Sequence, residues 1–159
     1  MTVVKPINRP LIFILGLIIV VGLCSGDFPV LAQGNLTRPK SEIPLISADE
    51  LKAKVANNEP LMIIDVRASE SYADSNKKIK GAIHVKLRRL RTRLAFAPFK
   101  NVPRDQEVVT YCACPREESS LAAAQILLDA GFKRVHALKG GWNEWLKVSG
   151  QVEPRPKGL

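Results

Sequence analysis

With 159 residues, 46% of them hydrophobic and 25% charged, the chain suffices for one domain with its own core. Three cysteines are too few for a disulfide framework. A net charge of +9 raises nucleic acid as a partner, yet only 6% of residues are aromatic and no nucleic-acid-binding motif is present. The basic excess therefore points to a solvated face, or to contact with anionic lipid or protein, and not to nucleic acid.

Lys5 and Arg9 precede an apolar run over residues 11–23 that only Gly16 and Gly22 interrupt. The run is shorter than the roughly 20 residues a spanning helix needs and suits the hydrophobic region of an export signal. Val30-Leu31-Ala32 offers a cleavage site before Gln33, making residues 1–32 a signal peptide. Three alternatives stay open: residues 11–23 retained as a membrane anchor, a lipid on Cys24, although Leu23 before it is larger than lipid-attachment cleavage favours, or a buried core helix. The signal, anchor and lipid readings place the domain outside the cytoplasm, in the periplasm or cell envelope. Residues 33–42 read as a tether, 43–148 as the folded domain and 149–159 as a C-terminal tail.

Ser47-Ala48-Asp49-Glu50 has capping-box spacing and opens a helix to about Val55, ended by Asn57-Asn58-Glu59-Pro60. Leu61 to Val66 is a continuously apolar strand, the pattern of a sheet covered on both faces. Residues 67–72 pass from loop into a short helix, and Ala82-Ile83-His84-Val85 is a brief strand. Leu87, Leu90 and Leu94 recur at helical spacing, with Lys86, Arg88, Arg89, Arg91 and Arg93 between them. That basic face, residues 86–93, is either solvated or docks on an anionic membrane surface. After a proline-containing loop, Glu107 to Thr110 reads as a buried strand. A helix of strong formers from Leu121 follows, closed by Gly131. Arg134 to Leu138 is a last strand, in which His136 is expected to be a satisfied core histidine. A Lys139-Gly140-Gly141 turn and a helix through Trp145 follow. Strands alternating with helices give an α/β fold with a mostly parallel sheet.

Between the penultimate strand and its helix lies Tyr111-Cys112-Ala113-Cys114-Pro115-Arg116-Glu117-Glu118-Ser119-Ser120. Unpaired N–H groups of a helix's first turn favour negative charge, so a cysteine held there is expected to have a lowered pKa and to act as a nucleophile. Cys112 is that residue.

In order and spacing over residues 43–148, four segments resemble the successive signatures of the rhodanese-like sulfurtransferase family. They are Ile63-Ile64-Asp65-Val66-Arg67, Gly81-Ala82-Ile83, Val109-Thr110-Tyr111-Cys112 and Leu138-Lys139-Gly140-Gly141-Trp142. The resemblance implies a single domain whose central sheet has helices on both faces, and a Cys112 that carries sulfur as a persulfide. It implies that main-chain N–H groups from Ala113 to Ser119 point at the sulfur, and that Asp65 and Arg67 support the site by tying loops together. The partners it implies are a small sulfur donor and a thiol, cyanide or protein acceptor, with no metal or organic cofactor.

The loop departs from the usual Cys-x-x-Gly-x-Arg and resembles a Cys-x-Cys-Pro subgroup. Glu117 stands where the family's arginine would be, and Ser119 falls where the usual serine would if one residue were inserted. Arg116, the loop's one cation, is displaced by one position. Glu117 and Glu118 suit a helix N-terminus but repel a doubly charged donor, which turns expectation from thiosulfate towards neutral or protein-bound sulfur. Related cysteine phosphatases and arsenate reductases need Cys-x5-Arg, and Glu118 at that position opposes this reading. Cys114 has several readings: a reducible disulfide with Cys112, resolution of a Cys112 persulfide with release of sulfide, a metal ligand, or a small loop residue without a chemical part. At the level of the whole protein, three readings stand: an exported sulfurtransferase, a catalytically silent partner-binding module, and a thiol–disulfide redox protein using Cys112 and Cys114.

Overall fold

Strand β5 (Glu107–Tyr111), buried at every position, lies in the middle of a five-stranded parallel sheet. The order across the sheet is β1 (Leu45–Ile46), β6 (Arg134–Leu138), β5, β2 (Leu61–Asp65) and β4 (Ile83–His84). The structure, a computed structural model, describes residues 42–156. The signal or anchor segment, Cys24 and most of the tether lie outside them. Register pairs Asp65 with both Tyr111 and His84, so the C-terminal ends of three neighbouring strands come together at one edge of the sheet. Ligands of open parallel sheets bind at that edge.

The apolar runs divide by alternation into two cores. Met62, Ile64 and Val108 face α3 (Leu87–Arg93) and α4 (Glu118–Asp129), with Leu90, Ala123, Ala124 and Leu127 packed over them. Ile63, Val109 and Tyr111 face the opposite way, towards α1 (Ala48–Ala56) and α5 (Gly141–Lys147), which supply Leu51, Trp142 and Trp145. This is an α/β fold with a mostly parallel central sheet flanked by helices, as the sequence predicts. The helix ends are also as read: Ser47 Oγ accepts from Glu50 N at 3.1 Å. Gly131, at φ +91°, closes α4 with paired bonds from Gly131 N to Leu128 O and from Phe132 N to Leu127 O, a Schellman motif.

Three features differ from expectation. β1 is only two residues long and follows a proline, too short for periodicity to reveal. After α2 (Ser69–Asp74), strand β3 (Lys77–Ile79) pairs antiparallel with β7 (Val152–Pro154). Part of the stretch expected as a C-terminal tail is thus sheet, and Trp145 Nε1 donates to Gln151 O beside it at 3.2 Å. His136 is not a satisfied core histidine: it is partly exposed, and its Nδ1, without a hydrogen bond, stands 3.6 Å from Glu107 Oε1.

Candidate active site

Cys112 follows β5 directly, and five further residues pass before α4 begins, so the junction is a loop and not an immediate strand-to-helix step. Its shape is fixed from several sides. Thr110 Oγ1 donates to Ser120 O at 2.8 Å and ties the first turn of α4 to β5. Trp142 N donates to Cys112 O at 2.8 Å. The chain comes this close only because Gly141, at φ +52°, has no Cβ, which would lie 2.2 Å from Cys112 O. Gly140-Gly141 therefore does more than turn the chain: it clamps the loop. Glu117, in the left-handed region at φ +55°, accepts from Gly140 N through Oε1 at 2.6 Å. The acid in the position of the family's arginine is a strut between two loops.

Cys112 Sγ points into the core beside α4 and is fully buried, while Cys114 is half-buried. Cys114 N donates to Cys112 Sγ at 3.3 Å. Ser120 Oγ lies 3.7 Å from the same sulfur while donating its own proton to Glu117 O at 2.9 Å. Cys114 Sγ sits 3.2 Å from Ser119 Oγ. The expectation of a depressed Cys112 pKa is overturned. Burial pushes the Cys112 thiol up, and the neighbouring Cys114 side chain adds to this, against the Cys114 amide and the hydroxyl and amide of Ser120. Cys114 is the one lowered: partial burial opposes its charge, but the Ser119 hydroxyl, the Cys112 thiol and the Ser119 amide together outweigh it. Desolvation beats the amide cradle at the inner sulfur, and hydrogen bonding beats desolvation at the outer one.

Among the other loop residues, Ala113 packs half-buried against the α1–α5 core, and Pro115 is exposed. Arg116 Nε donates to Glu118 Oε1 at 3.0 Å, with both side chains in solvent. Arg116 is thus turned outward and already paired, so it does not stand in for the missing arginine. Its pairing and the helix's own first amide hold the Glu118 carboxyl below its usual range, the amide being the stronger influence.

Asp65 and Arg67 lie beneath the loop, both fully buried. Arg67 Nη2 meets Asp65 Oδ2 at 2.7 Å and also donates to Lys77 O at 3.0 Å. Tyr111 O–H donates to Asp65 Oδ2 at 2.6 Å. Burial alone would raise the Asp65 pKa, but His84, Arg67 and Tyr111 reverse this and leave it lowered. Burial and the neighbouring carboxylate push the Tyr111 hydroxyl up. Arg67 Nη1 has no hydrogen-bond partner, and the guanidinium is boxed by Trp142, Tyr72 and Tyr111 with its carbon 4.3, 5.1 and 5.7 Å from their ring centres. Ring faces compensate the spare donor. Ser120, Tyr111 and Trp142 were not singled out for these parts in the sequence; only their nearness to Cys112 and to the double glycine marks them.

A cavity of about 360 Å³ flanks the loop, lined by Ala68, Ser69, Lys86, Arg88 and Ser119. Among the described residues, no three His, Cys, Asp or Glu side chains stand grouped to hold a metal. The chemistry on offer is that of two thiols of unequal acidity, one accessible and one enclosed.

Comparison with known proteins agrees with this architecture. The family described as "Rhodanese-like domain" matches residues 47–148. A candidate sulfur carrier protein of Bacillus subtilis, YrkF, is 31% identical over 105 residues, 66% of this chain; the chain spans about half, 52%, of that relative. The thiosulfate sulfurtransferase GlpE of Glaesserella parasuis is 26% identical over 100 residues, covering 63% of this chain and 84% of GlpE. The structure of a human single-domain sulfurtransferase, TSTD1, superposes with a TM-score of 0.55 at 25% identity, over 65% of this chain and 96% of that one.

Proposed function

This chain belongs to the rhodanese-like domain family, and we propose that it is a sulfurtransferase that holds sulfane sulfur as a persulfide on Cys112 and passes it to a thiol acceptor. One observation supports this above the rest: Cys112, at the C-terminal end of the central strand, is fixed through its carbonyl by Trp142 N and receives an amide hydrogen bond on its sulfur from Cys114. Attack of a thiolate on a sulfane sulfur forms one S–S bond as another breaks, and the donor leaves as its thiolate or sulfite. The Cys114 amide, already in place, favours negative charge at the Cys112 sulfur without moving during the reaction.

The relatives include proteins named for thiosulfate and for sulfur carriage. With Arg116 paired outward and Glu117 and Glu118 both acidic, the loop of this chain favours a low-molecular-weight or protein-bound persulfide over the doubly charged thiosulfate. Export to the periplasm or cell envelope through residues 1–32 completes the proposal, supported by the basic start and the apolar run of residues 11–23. N-terminal sequencing of the membrane and soluble envelope fractions tests it: a start at Gln33 supports export, and a cytoplasmic protein starting at Met1 refutes it. The chemistry is tested by mass spectrometry of the reduced protein. It should gain one sulfur from polysulfide and pass it to an added thiol, which becomes a persulfide and, with a second thiol, yields a disulfide and sulfide. No gain from polysulfide, thiosulfate or a low-molecular-weight persulfide, while both thiols are free, overturns the sulfurtransferase reading. That outcome favours the silent module, a reading the burial of Cys112 supports.

A further inference from the structure

The two loop sulfurs are arranged in depth. Cys112 has no exposed surface, and Cys114 is partly open. The cavities that meet the loop reach it at Ser119, at Glu117 and at Glu118, and neither cysteine is among their lining residues. Ser119 Oγ, at the edge of the first, is the group 3.2 Å from Cys114 Sγ. Lys86 and Arg88 line the same cavity against one exposed carboxylate, Glu70, so a singly anionic persulfide is drawn towards the outer sulfur. A donor that reaches Ser119 is next to the partly open Cys114 sulfur, and Cys112 has no exposed surface to offer it.

From this layered geometry we propose that Cys114 takes the sulfane sulfur from the donor and hands it inward to Cys112, the two cysteines acting as a relay. The inference rests on the reading of Cys112 as the persulfide carrier. In the first step the Cys114 thiolate attacks the outer sulfur of the donor. A Cys114–sulfur bond forms, the donor S–S bond breaks, and the donor leaves as a thiolate. In the second step Cys112 Sγ attacks the outer sulfur of the Cys114 persulfide. The new S–S bond to Cys112 replaces the one to Cys114, whose sulfur keeps the electron pair and takes the Cys112 proton. The products are a Cys112 persulfide and a Cys114 thiol, with no external oxidant or reductant. The Cys114 amide already donates to Cys112 Sγ at 3.3 Å, which holds the two residues in contact, and the lowered pKa of Cys114 suits it to act first. Enclosure of Cys112 then shields the stored sulfur from stray thiols, which a persulfide on Cys114 would meet directly.

The test loads the reduced full chain with inorganic polysulfide, quenches with an alkylating reagent at successive times and locates the added sulfur by fragmentation. The expected wild-type result is sulfur on Cys114 first and on Cys112 later. Cys112→Ser, and Cys112→Ala as the apolar alternative at a buried position, should leave the sulfur on Cys114. Cys114→Ser should load Cys112 slower by about tenfold or more, because the inner thiol is both protonated and hidden. Loading of Cys112 in Cys114→Ser at the wild-type rate, with no sulfur on Cys114 in either Cys112 variant, overturns the relay and leaves the sulfurtransferase reading standing. No sulfur on either cysteine of the wild type overturns both.

Discussion

Asp65 is a buried carboxylate that stays ionised because Arg67 and Tyr111 meet it directly and His84 stands 3.8 Å away. Such a pair is not a cheap source of stability, since two ions leave water to form it, but removing one member strands the other. Arg67→Ala should therefore cost about 3–5 kcal/mol in urea unfolding, more than the loss of any single exposed pair such as Arg116–Glu118. The same cluster sets the acid limb of stability. The folded-state pKa of Asp65 lies below its ordinary 3.8, so its contribution is fully present above that value and is lost as pH falls through the folded-state pKa. Asp65→Asn should lower stability at neutral pH and flatten the dependence on pH in the acid range. An unchanged acid limb would show that other carboxylates control it. Beside this structural cluster, the reactive pair is decided by differences in environment: burial raises the pKa of one thiol, and hydrogen bonding lowers that of the other.

The double-glycine turn is the element that shapes the loop without entering its chemistry. A methyl group at Gly141 meets Cys112 O at 2.2 Å, and a left-handed backbone costs a non-glycine residue about 1–3 kcal/mol. Gly141→Ala should lower the thermal midpoint, and by displacing the Cys112 carbonyl from Trp142 N it should also change the rate of sulfur loading. Melting that shifts while loading stays at the wild-type rate would confine the turn to a structural part. The turn was legible in sequence as glycine, but its contact with Cys112 was not, because strand order brings β5 and β6 side by side, pairing Glu107 with Arg134. Elements with strong local signals were readable: the apolar β2 and β5, the Ser47 cap and the Gly131 stop. β1 and the β3–β7 pair were not, being two or three residues long and, in β3, masked by Lys77 and Lys78. Cys112 was legible as the residue at the strand end. That burial would raise its pKa was not, since periodicity places a residue on a face and does not report how completely the opposite helix covers it.

At the scale of the whole molecule, five of the chain's 24 lysines and arginines fall within residues 86–93. On α3, Leu90 is buried against the sheet while Arg88, Arg89, Arg91 and Arg93 stand in solvent; of these, Arg91 faces Asp129 at 3.5 Å. Lys86 and Arg88 continue this face to the cavity beside the cysteines. We propose that an anionic membrane surface is one partner for the face, which would hold an envelope protein with its reactive loop beside the bilayer. Each arginine near an anionic leaflet contributes about 1 kcal/mol, so reversing two should reduce partitioning on the order of tenfold or more. The measurement is cosedimentation of the full chain and of Arg88→Glu/Arg89→Glu with vesicles of neutral lipid and with vesicles containing phosphatidylglycerol. An apolar N-terminal segment binds both vesicle types alike and is little affected by salt, whereas the arginine face adds a component specific to anionic lipid that weakens as the Debye length shrinks. The substitutions should remove that component alone. Equal binding to both vesicle types by the unaltered chain would rule the membrane surface out and leave the arginines as a solvated face that draws anionic donors towards Cys114.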